Sequence, residues 1–68
     1  MCIRDRIYVA VSTANACGYC VHSHTAAAKA KGMTDAEHAE LMQVISLAAR
    51  TNHLLTGFQI PLDAEIQA

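Results

Sequence analysis

Cys17 and Cys20 stand three residues apart in "ACGYCVHSHT", and His24 follows Cys20 by four. On a helix, residues three and four apart share a face, so two thiols and an imidazole would meet on one side. At a helix start, unpaired N–H groups and the positive end of the macrodipole favour a thiolate over a thiol. An imidazole one turn along can take the Cys20 proton and leave a nucleophile beside a second thiol. That arrangement suits a cycle in which Cys20 attacks an oxidant and becomes a sulfenic acid. Cys17 then condenses with it to a disulfide. Two other readings compete with this one. As zinc ligands, Cys17, Cys20, His22 and His24 would have to converge, yet residues two apart on a helix point about 200° away from each other. Zinc sites also tend to draw their second ligand pair from another element. The blander alternative makes both cysteines small buried hydrophobes and leaves the histidines at the surface. Redox chemistry is the preferred reading.

The elements that must position this cluster have to come from a chain of 68 residues, enough for one small domain. Such a domain buries only about 60% of its unfolded surface, so stability is marginal without a staple or a partner. The chain is 53% hydrophobic with one Phe, two Tyr and no Trp. Its apolar content therefore lies in aliphatic helix faces that need cover, and a homo-oligomer is expected. A net charge of −1 gives no basic footprint for nucleic acid. No apolar run reaches the roughly 18 residues of a membrane span. The segment "MCIRDR" lacks the apolar region and cleavage site of a signal peptide. Three cysteines do not form an even disulfide framework, so a reducing, cytoplasmic setting is expected.

Three helices are predicted, which makes the fold class all-α. "IYVAVSTANA", Ile7 to Ala16, has β-branched residues that would suit a strand, but also a helical stripe of Ile7, Ala10, Val11 and Ala14. Nothing else in the chain could pair with a strand, so it is read as helix. A second helix runs from Cys20 to Lys31 through "HTAAAKAK", with Gly32 as its C′ residue and Lys29 and Lys31 in the last turn. Thr34 and Glu37 in "TDAE" form a capping box for a third helix that runs to about Gly57. Its apolar face carries Leu41, Val44, Ile45, Ala48 and Leu55, widened by Met42, Ala49 and Leu54. Pro61 ends regular structure, leaving an extended or loosely docked tail.

"VSTANACGYCVHSHTAAAKAKGMTDAE" followed by "TNHLLTGFQIPLD" resembles the carboxymuconolactone decarboxylase superfamily. Within it, the sequence is most similar to the alkyl hydroperoxidase D-like branch that carries the C-x-x-C pair. The resemblance covers Ile7 to Asp63. It implies a small all-helical bundle completed as a homo-trimer or homo-hexamer, with no metal and no organic cofactor. It also implies Cys20 as the peroxide-reacting thiol, Cys17 as the resolving partner and His24 as part of the proton relay. The family relay uses a Glu twelve residues before the first cysteine, where this chain has Asp5. The shorter carboxylate would need a water to bridge the gap. Tyr19 stands in the middle of the motif, where some members have His. The implied activity is a thiol-dependent peroxidase or disulfide oxidoreductase acting on small organic hydroperoxides, with a thiol or lipoyl-type reductant. Lactone decarboxylation, which generally goes with members lacking the cysteine pair, is the alternative enzyme reading. A non-catalytic helical assembly fragment is the alternative from another class.

Residues 1–68 are read as a single domain of this type that is truncated at its N-terminus. Residues 1–6 fit the apolar pattern badly and are read as non-native, which would empty Asp5 and Cys2 of meaning. His22, His38 and His53 are expected at surfaces or interfaces. Met33 should make a hydrophobic cap contact, and Thr51 and Asn52 a helix bend or an inter-subunit hydrogen bond. Glu37 and Glu40 are read as cap and solvent-face residues.

Overall fold

A computed structural model describes residues 3–66. It contains α1 (Ile3–Ala14), α2 (Gly18–Ala30) and α3 (Asp35–Gly57), followed by one 3₁₀ turn, Ala64–Ile66. The all-α expectation holds. Helix α1 packs against both α2 and α3, and these two lean on α1 without packing on each other. The buried core is Val9, Ala28 and Met33, with Leu41 packed against it. Met33 thus makes the hydrophobic contact expected just past the end of α2.

Helix α1 begins earlier and ends sooner than the apolar pattern suggests. Ile3 to Arg6 are helical because their charges find partners on other elements. Asp5 is buried and its Oδ2 lies 3.1 Å from Lys31 Nζ, while Arg6 approaches Glu37 at 3.7 Å. Met1 and Cys2, and with them the reading of Cys2, lie outside the described residues. The predicted end at Ala16 is replaced by an earlier stop at Ala14. Ala16 adopts the left-handed φ of 55°, Cys17 N–H donates to Ser12 O at 3.0 Å, and Ala16 N–H donates to Thr13 O at 3.1 Å. These are the paired bonds of a Schellman motif.

Helices α2 and α3 stop in the same way. Gly32, with φ of 107°, lets Met33 N–H reach Ala28 O at 3.1 Å, and Gln59, with φ of 54°, lets Ile60 N–H reach Leu55 O at 3.0 Å. Only α2 uses the glycine that makes such a stop readable. Helix α3 ends at Gly57 as expected, and the left-handed stop falls beyond it at Gln59. The long helix is already stopped by the Gln59 turn before Pro61, and the segment after Pro61 closes a short 3₁₀ turn through Ile66 N–H to Asp63 O rather than staying extended.

The capping box at α3 forms as the sequence predicts. Glu37 N–H donates to Thr34 Oγ1 at 3.1 Å, and Thr34 N–H donates to Glu37 Oε1 at 2.9 Å. That second bond is the main reason the Glu37 carboxyl sits below its ordinary value of 4.5. Asp35 is likewise lowered, by its hydrogen bond to Lys29 at 3.0 Å. A depressed carboxyl stabilises the fold above its unfolded pKa, and that contribution is lost as pH falls through the lower folded value. Unfolding midpoints are therefore expected to drop progressively below about pH 4.5. Thr34→Ala should cost about 1 kcal/mol at neutral pH and flatten the acid dependence. Denaturant titrations at several pH values check both.

Residues of α3 are nowhere fully buried, and Val44, Leu47, Leu54 and Leu55 are all exposed. Among the described residues no helix is long and apolar enough to cross a membrane.

Candidate thiol site on the α1–α2 hairpin

The left-handed Ala16 delivers Cys17 to the N-cap of α2 with extended backbone angles, φ −88° and ψ 95°. Its sulfur then does what a capping oxygen does elsewhere, accepting the Cys20 N–H at 3.3 Å. Gly18 supplies the first helical residue, and Cys20 lies on the first turn. The two cysteines are joined as a disulfide with Cα atoms 5.2 Å apart. That separation lies within the normal range for a bridged pair, so the helix start accepts the disulfide without rearrangement. Both cysteines are half-buried, which leaves a path for a small oxidant or an external thiol. Tyr19, between them, is 85% exposed.

His24 follows Cys20 by one turn of α2 and is half-buried. Helical side chains lean toward the N-terminus, which brings the His24 ring back over the Cys20 turn. From the other arm of the hairpin, Tyr8 stacks on that ring, with centroids 4.5 Å apart and planes 8° from parallel. The sequence reading missed Tyr8 altogether. A signal existed: in an antiparallel hairpin turning at residues 15–17, positions roughly equidistant from the turn face each other, and Tyr8 and His24 meet that condition.

Asp5 is placed elsewhere. It lies with Ala28, Lys31 and Met33 at the C-terminal end of α2, where its Oδ2 pairs with Lys31 Nζ. The structure thus brings together Cys17 and Cys20, sets His24 one turn along the same helix, and holds Asp5 at the opposite end of the hairpin. His22 lines a separate cleft of about 460 Å³ together with Val21, Thr25, His38 and Met42. Thr51 returns its hydroxyl to Leu47 O at 3.2 Å within α3. Among the described residues no three His, Cys, Asp or Glu side chains gather as a metal site would require.

The all-α hairpin thus carries a bridged C-x-x-C pair with a histidine one turn further along α2. Residues 3–63 match the carboxymuconolactone decarboxylase family, and the chain belongs to that family. It is similar to the crystal structure of the alkylhydroperoxidase AhpD core from Rhodospirillum rubrum ATCC 11170, at 67% identity and a TM-score of 0.84. That match covers 88% of this chain and 44% of the other, so the chain spans less than half the length of that protein. No curated protein matches it.

Proposed function

We propose that this chain is a thiol-dependent peroxidase that reduces organic hydroperoxides through Cys17 and Cys20. The observation that supports the reading most is the pair itself: two sulfurs within bonding reach at a helix start, one of them accepting the other's N–H. In the reduced state His24 takes the Cys20 proton. The Cys20 thiolate attacks the terminal peroxide oxygen, the O–O bond breaks, and the alcohol leaves with a proton. Cys20 is now a sulfenic acid, which Cys17 attacks to form the disulfide and release water. Two thiols and one hydroperoxide thus give one disulfide, one alcohol and one water. A dithiol reductant of the lipoyl type restores the pair by exchange. Its first attack expels one protein sulfur, and Cys17 is the better leaving group because the helix N-terminus stabilises its thiolate.

Asp5 enters this reading as the outer carboxylate of the relay. Its side chain is ion-paired to Lys31 at the other end of α2 from the cysteines. The assembly in this reading is a homo-trimer or homo-hexamer that covers the exposed apolar residues of α1 and α3, in a cytoplasmic setting. The supporting observation is their exposure: Ile7, Val11, Val44 and Leu47 are all more than half exposed.

The test is turnover of an organic hydroperoxide with dihydrolipoamide as reductant and protein in catalytic amount. Consumption should continue past one equivalent, and His24→Ala should slow it by about a hundredfold. Equal rates with and without protein would reject the peroxidase reading.

A further inference from the structure

Tyr8 has no assigned part in the chemistry above, yet it makes the one ring contact recorded in the described structure. An offset stack at 4.5 Å with planes 8° apart fixes the His24 ring plane, because rotation about χ2 would break the face contact. Both imidazole nitrogens then lie in a plane parallel to the phenol. They lie at the ring edge, clear of the phenol face. The histidine lean toward its own N-terminus brings that edge over the Cys20 turn. The phenol face is also a favourable seat for the imidazolium that forms when the ring takes a proton.

The Tyr8 backbone is held firmly enough to serve. Its carbonyl accepts Ser12 Oγ at 2.6 Å, and its neighbour Val9 is 0% exposed at the centre of the core. The Tyr8 side chain is 48% exposed, so it contributes little to that core itself. A half-exposed aromatic that touches the histidine of the thiol site, with its backbone anchored from below, is arranged as a support for the ring.

We infer that Tyr8 is a positioning residue of the thiol site, which acts on Cys20 only by holding the His24 imidazole in the plane from which it accepts the thiol proton. This rests on the reading of His24 as that acceptor, but not on hydroperoxide being the oxidant. Tyr8→Phe keeps the aromatic face, and Tyr8→Leu removes it at similar bulk.

The experiment follows alkylation of Cys20 by iodoacetamide in the reduced full chain near neutral pH, read by peptide mapping. Tyr8→Leu should slow Cys20 about fivefold, and Tyr8→Phe should match the parent. In a His24→Ala background, Tyr8→Leu should change nothing further. The His24 ring protons should be shifted upfield by the phenol in the parent and Tyr8→Phe, and should lose that shift in Tyr8→Leu. A Tyr8→Leu rate equal to the parent overturns the inference, and so does equal slowing with and without His24, which would make Tyr8 merely structural. If His24→Ala itself alkylates at the parent rate, both this inference and the proton route proposed for catalysis fall. If the alkylation pattern holds but hydroperoxide leaves the thiols reduced, only the peroxidase reading falls.

Discussion

Cys20→Ser is expected to abolish hydroperoxide reduction, lowering the rate by more than about a thousandfold, while Cys17→Ser spares the first chemical step. A serine hydroxyl is essentially un-ionised near neutral pH, whereas a cysteine there is partly thiolate and intrinsically far more nucleophilic. His24 lies one turn beyond Cys20 on α2, so in the proposed route it serves that sulfur in particular. With serine at position 17, Cys20 should still react with one equivalent of hydroperoxide. The product should then carry one added oxygen, because no partner thiol remains to condense with the sulfenic acid. Turnover with a dithiol reductant should fall sharply in that variant, and excess hydroperoxide should drive Cys20 to higher oxides. Rapid quench followed by mass analysis separates the two variants. The reverse pattern would move the nucleophile to Cys17, whose sulfur already accepts the Cys20 N–H at 3.3 Å.

Val9→Asp is expected to destroy the cooperative fold. Val9 is 0% exposed and packs with Ala28 and Met33, the only other buried hydrophobic residues described. A carboxylate there would lie among the apolar side chains of Ala28, Met33 and Leu41. An unpaired buried charge costs at least about 4 kcal/mol. At the usual stability per residue, a chain of this length has roughly 3–10 kcal/mol in all. Val9→Ala should cost about 2 kcal/mol, from lost burial and the cavity left between α1 and α2. An exposed control such as Gln43→Ala on α3 should stay within about 0.5 kcal/mol. Circular dichroism during denaturant unfolding reads all three. The expected result for Val9→Asp is helical signal without a cooperative transition, or no helical signal.

The contrast between these two predictions shows what was legible in the residues. The thiol pair is readable because its chemistry depends on a spacing of three along one chain segment, and so is the α3 capping box of Thr34 and Glu37. Gly32 announces the end of α2, since only glycine takes a left-handed φ without cost. The ends of α1 and α3 carry no such mark, because Ala16 and Gln59 adopt that conformation against their own preference. The bonds from Cys17 N–H to Ser12 O and from Ile60 N–H to Leu55 O hold them there. The start of α1 at Ile3 was equally hidden. Asp5 and Arg6 look out of place in an apolar helix until Lys31 and Glu37 are brought opposite them. The Tyr8–His24 stack joins two arms of a hairpin and depends on where the turn falls, and local periodicity does not encode that.

Asp5 shows how family resemblance and geometry answer different questions. The resemblance places a relay carboxylate at this position. In this chain the side chain is shorter by one methylene than Glu and is ion-paired at the far end of α2. The ion pair pins α1 against α2 beside the buried Ala28 and Met33.

The central claim is that Cys17 and Cys20 form a couple oxidised by hydroperoxide. Its most direct test is the intact mass of the fully reduced chain, quenched shortly after one equivalent of an organic hydroperoxide is added. The account predicts rapid loss of two hydrogens, with peptide mapping placing the new bond between Cys17 and Cys20. Two free thiols at those positions after complete mixing, or an added oxygen that never resolves to a disulfide, would contradict it.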